Sequence, residues 1–337
     1  MTELMKAVGY YHSLPLENPD SFLDFTLPIP NVSVRDLLIE VKAVSVNPVD
    51  TKQRTIEPQN LEPRILGFDA AGVVKAVGPD CMLFSPGDEV FYAGDVTRPG
   101  SNSHFQLVDE RLVAKKPSQL TFAESAAMPL TSLTAYEALF ERLAIEPNSG
   151  KTILIIAASG GVGSIATQLA NHAGLTVIGT ASRPETVTWT KEHGTAIVLN
   201  HHQPLPPQLH AQGYDYVDYI LCLNNTDAYW DAMADLIAPQ GKICSIVENE
   251  HPLELGKLKS KSATFVWEFM FTKAMYQTKD LYSQHEILTT ISQLLDQGAI
   301  RSTLTETLRP ISAKTIRAAH QKVESGKMIG KVVLESY

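Results

Sequence analysis

The chain has 337 residues, a length at which two domains are more expected than one, and a formal net charge of −9 at pH 7 with no long basic run, which argues against a nucleic-acid surface. Its three cysteines, Cys81, Cys222 and Cys244, are widely spaced and odd in number, so a reducing compartment is expected rather than a disulfide framework. Met1-Thr-Glu-Leu-Met-Lys6 lacks a leader's pattern and no apolar run approaches the roughly 20 residues of a bilayer span, so a cytoplasmic protein without membrane contact is expected.

The first third reads as β-rich. Leu37–Ser45, Gly72–Val77, Glu89–Tyr92 and His104–Val108 have strand patterns, separated by turn residues such as Asn47-Pro48, Gly78-Pro79, Pro86-Gly-Asp88 and Pro99-Gly100. Short strands at this spacing suggest a compact, barrel-like β domain. The texture changes at Thr121-Phe-Ala-Glu124, a capping-box pattern that opens Ala-rich helical segments running to about Ala144.

An apolar, β-branched strand, Thr152–Ile156, then stops at Ala157-Ala-Ser-Gly-Gly-Val-Gly163, and a helical pattern runs from Val162 to Ala173. A strand, a glycine turn and a helix start can seat a pyrophosphate on a helix N-terminus. The candidate contacts are Ser159, Gly160, Gly161, Val162 and Gly163. Gly160 would let a phosphate approach the backbone, and Gly163 would let the helix pack close to the strand. Ala158 stands where the first glycine of the fingerprint is usual. The glycines alone are also compatible with an ordinary strand-to-helix turn.

The second strand of this half, Leu175–Thr180, runs into Ala181-Ser182-Arg183. An NAD-preferring site usually carries an acid at that strand end, to bind the ribose 2′-hydroxyl. The nearest acid here is Glu185, beyond a proline. A hydroxyl and a guanidinium suit a 2′-phosphate instead, so NADPH is the expected cofactor. Ser182-Arg-Pro-Glu185 also reads as a capping box using Ser182, which would leave Arg183 available. Strands at Ala196–Leu199, Tyr219–Leu223 and Lys242–Val247 follow, with helical stretches such as Thr226–Ala238 between them. That alternation implies a parallel sheet with helices on both faces. Ala263–Phe271 is apolar and aromatic. As a strand it would put Phe265, Trp267, Phe269 and Phe271 on one face. Gln284–Gln297 is an amphipathic helix, and Ile329–Leu334 reads as a closing strand.

Several segments together resemble the medium-chain dehydrogenase/reductase superfamily. They are Gly67-Phe-Asp-Ala-Ala-Gly-Val-Val74 with Val77-Gly78, Pro86-Gly-Asp-Glu-Val90, Ser45-Val-Asn-Pro-Val-Asp50, Thr134-Ala-Tyr136 and Ala158–Gly163. The Ser45–Asp50 version resembles the quinone oxidoreductase, or ζ-crystallin-like, branch. Trp267–Phe271 and Gly326–Lys331 resemble bacterial proteins called zinc-type alcohol dehydrogenase-like. The resemblance implies an α/β fold, a Rossmann doubly wound parallel sheet plus a β-rich GroES-like catalytic domain, and the texture change at Thr121 with the late closing strand Ile329–Leu334 sets their expected bounds at 125–274 and at 1–124 with 275–337. The resemblance also implies a homodimer.

The same resemblance carries a contradiction. In the zinc enzymes the catalytic metal takes Cys, His and Cys. The matching positions here are Asn47, Phe68 and Leu130, and the stretch from Tyr92 to His104 has none of the cysteines of a structural zinc lobe. No metal is therefore expected. His201 and His202 read as loop histidines, although the family pattern often places an aromatic side chain at His201, beside the adenosine phosphate. The resemblance further implies that Asn47 donates to a substrate oxygen, that Asp50 orients nearby groups and that Thr134 packs beside the nicotinamide. From the residues alone, Asn47-Pro48 is equally a turn and Thr134 a helix-interior residue.

Without zinc, oxidation of a simple alcohol lacks its electrophile. Hydride transfer from NADPH to a quinone or an α,β-unsaturated carbonyl remains feasible, because oxygen receives the developing charge. A regulatory NADPH-binding protein with little turnover, and a dedicated enoyl-thioester or 2-alkenal reductase, are the alternatives.

Overall fold

A computed structural model describes residues 3–58 and 62–337. The chain divides into two compact units, Met1–Leu130 with Phe271–Tyr337, and Thr131–Met270.

The first unit starts with β1 (Leu4–Tyr10), β2 (Leu23–Pro28) and β3 (Asp36–Ser45). Helix α1 (Pro48–Arg54) and strands β4 (Arg64–Ile65), β5 (Ala70–Val77), β6 (Glu89–Tyr92), β7 (Phe105–Asp109) and β8 (Val113–Lys115) follow. Helix α2 (Phe122–Ala126) is capped as its sequence suggests: Thr121 Oγ1 accepts from the Glu124 N–H, and the Thr121 N–H donates to the Glu124 carboxylate. Helix α3 (Pro129–Tyr136) begins in this unit, and its residues from Thr131 onward are counted with the second.

The second unit holds β9 (Thr152–Ile156), α4 (Gly161–His172), β10 (Thr176–Thr180), α5 (Pro184–Glu192), β11 (Ile197–Leu199) and α6 (Leu205–Ala211). It continues with β12 (Val217–Cys222), α7 (Thr226–Leu236), β13 (Ile237–Ser245) and β14 (Thr264–Trp267). Its strands run parallel in the order β11-β10-β9-β12-β13-β14. This is the doubly wound arrangement whose order reverses beside the first strand. Helices cover the sheet, so β9 is apolar at nearly every position rather than alternating. Leu154, Ile156, Ile178 and Ile220 form the centre of its core with Trp230 and Met233 of α7.

The chain returns to the first unit with α8 (Thr272–Tyr276), α9 (Ser283–Asp296), β15 (Leu304–Leu308), α10 (Ala313–Glu324) and β16 (Lys331–Glu335). Strand β16 pairs parallel with β15 and antiparallel with β3. It extends the sheet ordered β15-β16-β3-β5-β6-β8, to which β7 adds through β3. A smaller sheet, β2-β1-β4, completes the unit. The fold is α/β, a Rossmann-type parallel sheet plus a β-rich GroES-like part.

The aromatic segment departs from its expected form. Strand β14 ends at Trp267, so four rings do not share one face. Phe265 and Trp267 do meet edge to face, with centroids 4.9 Å apart. Trp267 and Phe269 are 43% and 46% exposed, whereas Phe271 is buried against Phe68 in the first unit. Strand β14 pairs with β13 from Thr264 to Trp267, and the Glu268 N–H closes that ladder on the Ser245 carbonyl.

His320 on α10 is buried, with neither ring nitrogen hydrogen-bonded, and its ring centre lies 4.8 Å from that of Phe22. Burial, helped by the Arg54 guanidinium, pushes its pKa down to about 3. In the unfolded chain a histidine titrates near 6.5. Below that pH the unfolded chain takes a proton that the folded chain refuses. The group's contribution is therefore complete above about pH 6.5 and is lost on acidification, by about 1.4 kcal/mol per pH unit. Thermal unfolding should show a lower Tm at pH 5.5 than at pH 7.5, and His320→Leu should flatten that difference. An unchanged slope in the variant would contradict the assignment.

Candidate functional site

The glycine turn of the second unit is built by sterics. Ala157, directly after β9, has a φ of 68° and takes the left-handed position of the turn. The strained residue is thus one earlier than Ala158, the position matching the fingerprint's first glycine. The Ala157 N–H is held by Thr180 Oγ1 at 2.9 Å, which ties the turn to the end of β10. A Cβ added at Gly163 would lie 2.3 Å from the Ala157 carbonyl oxygen. Only glycine lets α4 approach the turn this closely. At Gly160 an added Cβ would meet nothing nearer than 3.6 Å. The protein's own atoms do not require glycine there, and the open space beside it can admit a phosphate close to the backbone. Gly160 is also the N-cap of α4, with no side chain capping it. The first-turn N–H groups of Gly161 and Val162, with Ser159 before them, therefore form the positive end of the α4 dipole without a side-chain cap. These residues fit a pyrophosphate.

Ser182 and His201 follow the ends of the neighbouring strands β10 and β11, and the structure joins them. Ser182 Oγ lies 3.1 Å from His201 Nε2. The capping box expected from Ser182 does not form. Pro184 occupies the first helical position of α5, so the N-cap is Arg183, whose N–H donates to Thr186 Oγ1 at 3.1 Å. Ser182 is left to pair with His201. The Arg183 guanidinium lies 3.4 Å from Glu185, with both side chains substantially exposed. Such pairs are worth little and exchange readily. Burial, then the neighbouring His202 and Arg183, lower the His201 pKa. Ser182 also borders an open hollow of about 430 Å³, with Lys191 on its wall.

The first unit contains a buried polar cluster. Asn47 ends the segment after β3 and is 1% exposed. Its N–H donates to Asp50 Oδ2 at 2.7 Å, and the Gly67 N–H donates to Asp50 Oδ1 at 3.2 Å. Burial pushes the Asp50 carboxyl up to about 7, against the pull of the Asn47 N–H and the Lys331 ammonium. Asn47 Nδ2 donates to Asp69 Oδ2 at 3.0 Å, and the Leu130 N–H to Asp69 Oδ1 at 2.9 Å. Lys331 Nζ donates to Asp69 Oδ2 at 3.0 Å, to the Val46 carbonyl at 3.3 Å and to Asn47 Oδ1. Burial raises the Asp69 carboxyl, with Lys331 the chief opposing influence. All three of its partners are donors, which is the geometry of a carboxylate. Asn47 and Asp50 are thus neighbours, while Thr134 belongs to the second unit and is buried within α3. Asp69 and Lys331 were not legible as site residues. The available signals were Asp69 after Gly67-Phe68, and a lone lysine leading into the apolar Val332–Leu334.

Two family descriptions match the chain: "Alcohol dehydrogenase GroES-like domain" over residues 33–132 and "Zinc-binding dehydrogenase" over 182–334. The "Zinc-type alcohol dehydrogenase-like protein" of Staphylococcus epidermidis is 45% identical over 98% of this chain and 99% of its own length. The chain belongs to the medium-chain dehydrogenase/reductase superfamily. A crystal structure from Rhizobium etli, described as a putative zinc-dependent alcohol dehydrogenase protein, superposes with a TM-score of 0.97. It is 47% identical and covers 100% of this chain and 99% of its own. Human quinone oxidoreductase is 36% identical over 60% of each chain. The chain is an oxidoreductase of this superfamily, whose members bind a nicotinamide cofactor and act on small molecules.

Zinc does not fit the residues present. Phe68 and Leu130 carry no donor side chain, and the Asn47 amide oxygen is already taken by an ammonium. Among the described residues no group of three or more His, Cys, Asp or Glu side chains could hold a metal ion.

The two glycines of the turn should separate fold from ligand. Gly163→Ala should destabilise the protein by about 1–3 kcal/mol without any cofactor, through overpacking against Ala157. Gly160→Ala should leave the Tm of the free protein within about a degree and weaken dinucleotide binding. Equal effects of the two substitutions on the free protein's Tm would contradict this reading.

Proposed function

We propose that the chain is a zinc-independent, NADPH-dependent oxidoreductase that delivers hydride to a quinone or an α,β-unsaturated carbonyl. The observation that carries this reading is the fate of the three zinc-ligand positions. Asn47, the backbone N–H of Leu130 and Asp69, the neighbour of Phe68, meet one another and the ammonium of Lys331. A Lewis acid that could hold an alkoxide has no place in that set, so oxidation of simple alcohols loses its means. An acceptor that is already electron-poor needs only positioning and a donor for its oxygen. The name of the human relative, quinone oxidoreductase, supports the same class.

When bound, the reduced nicotinamide supplies the hydride. This chain's residues do the rest. Ser159, Gly160, Gly161, Val162 and Gly163 seat the pyrophosphate. Ser182, Arg183 and His201 surround the 2′-phosphate, with Arg183 leaving its exposed partner Glu185 for the stronger anion. Thr134 packs against the nicotinamide. Asn47 donates to the acceptor oxygen, and Asp50 holds Asn47 and Gly67 in place through their N–H groups. The proton that completes enone reduction comes from solvent. A cytoplasmic location accords with three free cysteines, two of them buried. Among the described residues no helix is long and apolar enough to cross a membrane.

Charge-assisted contacts to a 2′-phosphate are worth about 1.5–3 kcal/mol each. NADPH should therefore bind more tightly than NADH, and Arg183→Ala should erode the preference about tenfold or more in a fluorescence titration. Equal affinity of the wild type for both cofactors would refute the assignment. In a steady-state panel, quinones and enones should drive NADPH oxidation by chelator-treated protein. Brisk oxidation of simple alcohols with none of that activity would sink the reaction class. Tight NADPH binding with no turnover would favour a sensor.

The outer edge of β14 and the exposed Trp267 and Phe269 support a homodimer through this face of the second unit. Sedimentation at micromolar concentration should give a dimer, and a monomer would remove the claim.

A further inference from the structure

Lys331 reaches the Asn47 cluster from the first residue of β16 and is 4% exposed. An ammonium carries three hydrogens and no lone pair. The Val46 carbonyl, Asn47 Oδ1 and Asp69 Oδ2 match those three hydrogens one for one. Because lysine cannot accept, the Asn47 atom beside it has to be the amide oxygen. Because the Asp69 carboxylate cannot donate, the Asn47 atom facing it, at 3.0 Å, has to be the amide nitrogen. The two ends of one amide are thus keyed by partners of opposite kind, and the usual freedom of an asparagine to sit either way round is removed. Asp69 takes one of the two hydrogens on Nδ2. The other is the remaining donor of that side chain, while the oxygen is held against a positive charge. Any further atom meeting this amide through Nδ2 meets a donor.

We propose that Lys331 and Asp69 form an orientation clamp that fixes Asn47 as a one-way hydrogen-bond donor, making Lys331 a positioning residue for reduction of a carbonyl-type acceptor. The clamp stands on the contacts of the first unit alone, and its catalytic consequence rests on the reductase reading. Such a donor matches an oxygen that gains negative charge as hydride arrives, because its hydrogen bond strengthens as that charge develops. The closest rival is that Lys331 merely balances the buried charge of Asp69.

Lys331→Met alone leaves a buried carboxylate and is expected to fold poorly, so the decisive variant is the double substitution Lys331→Met with Asp69→Asn. It removes both charges together and leaves an amide at position 69 that can face Asn47 with either end. Two readouts are needed. The first is kinetic: kcat with an enone should fall about tenfold to a thousandfold, while the KM for NADPH changes less than about threefold. Lys331→Arg, which keeps a donor-only cation, should retain more activity than the double variant. The second is the side-chain amide of Asn47, followed by NMR on protein labelled with ¹⁵N-asparagine and assigned through its own backbone. In the wild type its hydrogens should exchange slowly with solvent. In the double variant, exchange should quicken tenfold or more. A folded double variant with wild-type kcat and wild-type amide exchange would overturn the clamp and leave charge balance as the role of Lys331. If the wild type reduces no quinone or enone, the proposed function fails. The amide exchange then decides the clamp by itself, unchanged protection counting against it and lost protection for it.

Discussion

A lysine ammonium buried beside a carboxylate is tolerated only when every hydrogen has an acceptor, and Lys331 meets that condition through Val46, Asn47 and Asp69. This arrangement ties together chain segments that are distant in sequence: the residues following β3, those preceding β5, the start of α3 at Leu130 and the last strand. The return of the chain after the second unit therefore completes the inside of the first. Removing it would strand Asp69 as well as break the β16 ladder with β3. The cluster also occupies the Asn47 amide oxygen, so that atom is not available as a metal donor. A fixed organic cation of single charge now sits against the Asn47 side chain. It orders its surroundings, but its hydrogens are fully used and it offers no open coordination position.

The second unit depends on a different constraint, the closeness of α4 to β9. Gly163 permits it, Ala157 absorbs the backbone strain, and Thr180 on the adjacent strand locks the turn. The uncapped helix start is thus a by-product of packing, and it lies at the carboxyl ends of the strands beside the reversal of sheet order. The pair Ser182 and His201 belongs to the same strand-end rim, displaced by one and two strands from β9.

What was legible in the sequence was mostly local. Thr152–Ile156 announced a buried parallel strand through its unbroken apolar run, and Thr121-Phe-Ala-Glu124 announced a helix start through its capping chemistry. Both form as read. The family resemblance rested on short motifs with a fixed order, and the fold follows it. Local rules failed where two of them competed. Ser182 looked like a cap, but Pro184 set the helix start one residue later and passed that role to Arg183. Phe265–Phe271 looked like one aromatic strand, but the strand ends at Trp267 and Phe271 packs elsewhere. The Lys331–Asp69–Asn47 cluster was out of reach for a different reason. Its members lie 22 to 284 residues apart, and neither a lysine before an apolar strand nor an aspartate after Phe68 states its partner. Asn47 was legible as a residue of interest, but the orientation of its amide depends wholly on those partners.

The central claim is that this zinc-dehydrogenase framework moves a hydride to an activated acceptor without a metal. Its most direct test is isotopic. NADPH carrying deuterium at the transferable C4 position would be incubated with chelator-treated protein and an α,β-unsaturated ketone, and the product would be examined by mass spectrometry and NMR. The account predicts one deuterium at the β-carbon of the saturated ketone, with the α-hydrogen drawn from solvent. Product without β-deuterium, or turnover that disappears with the chelator and returns with zinc, would contradict it.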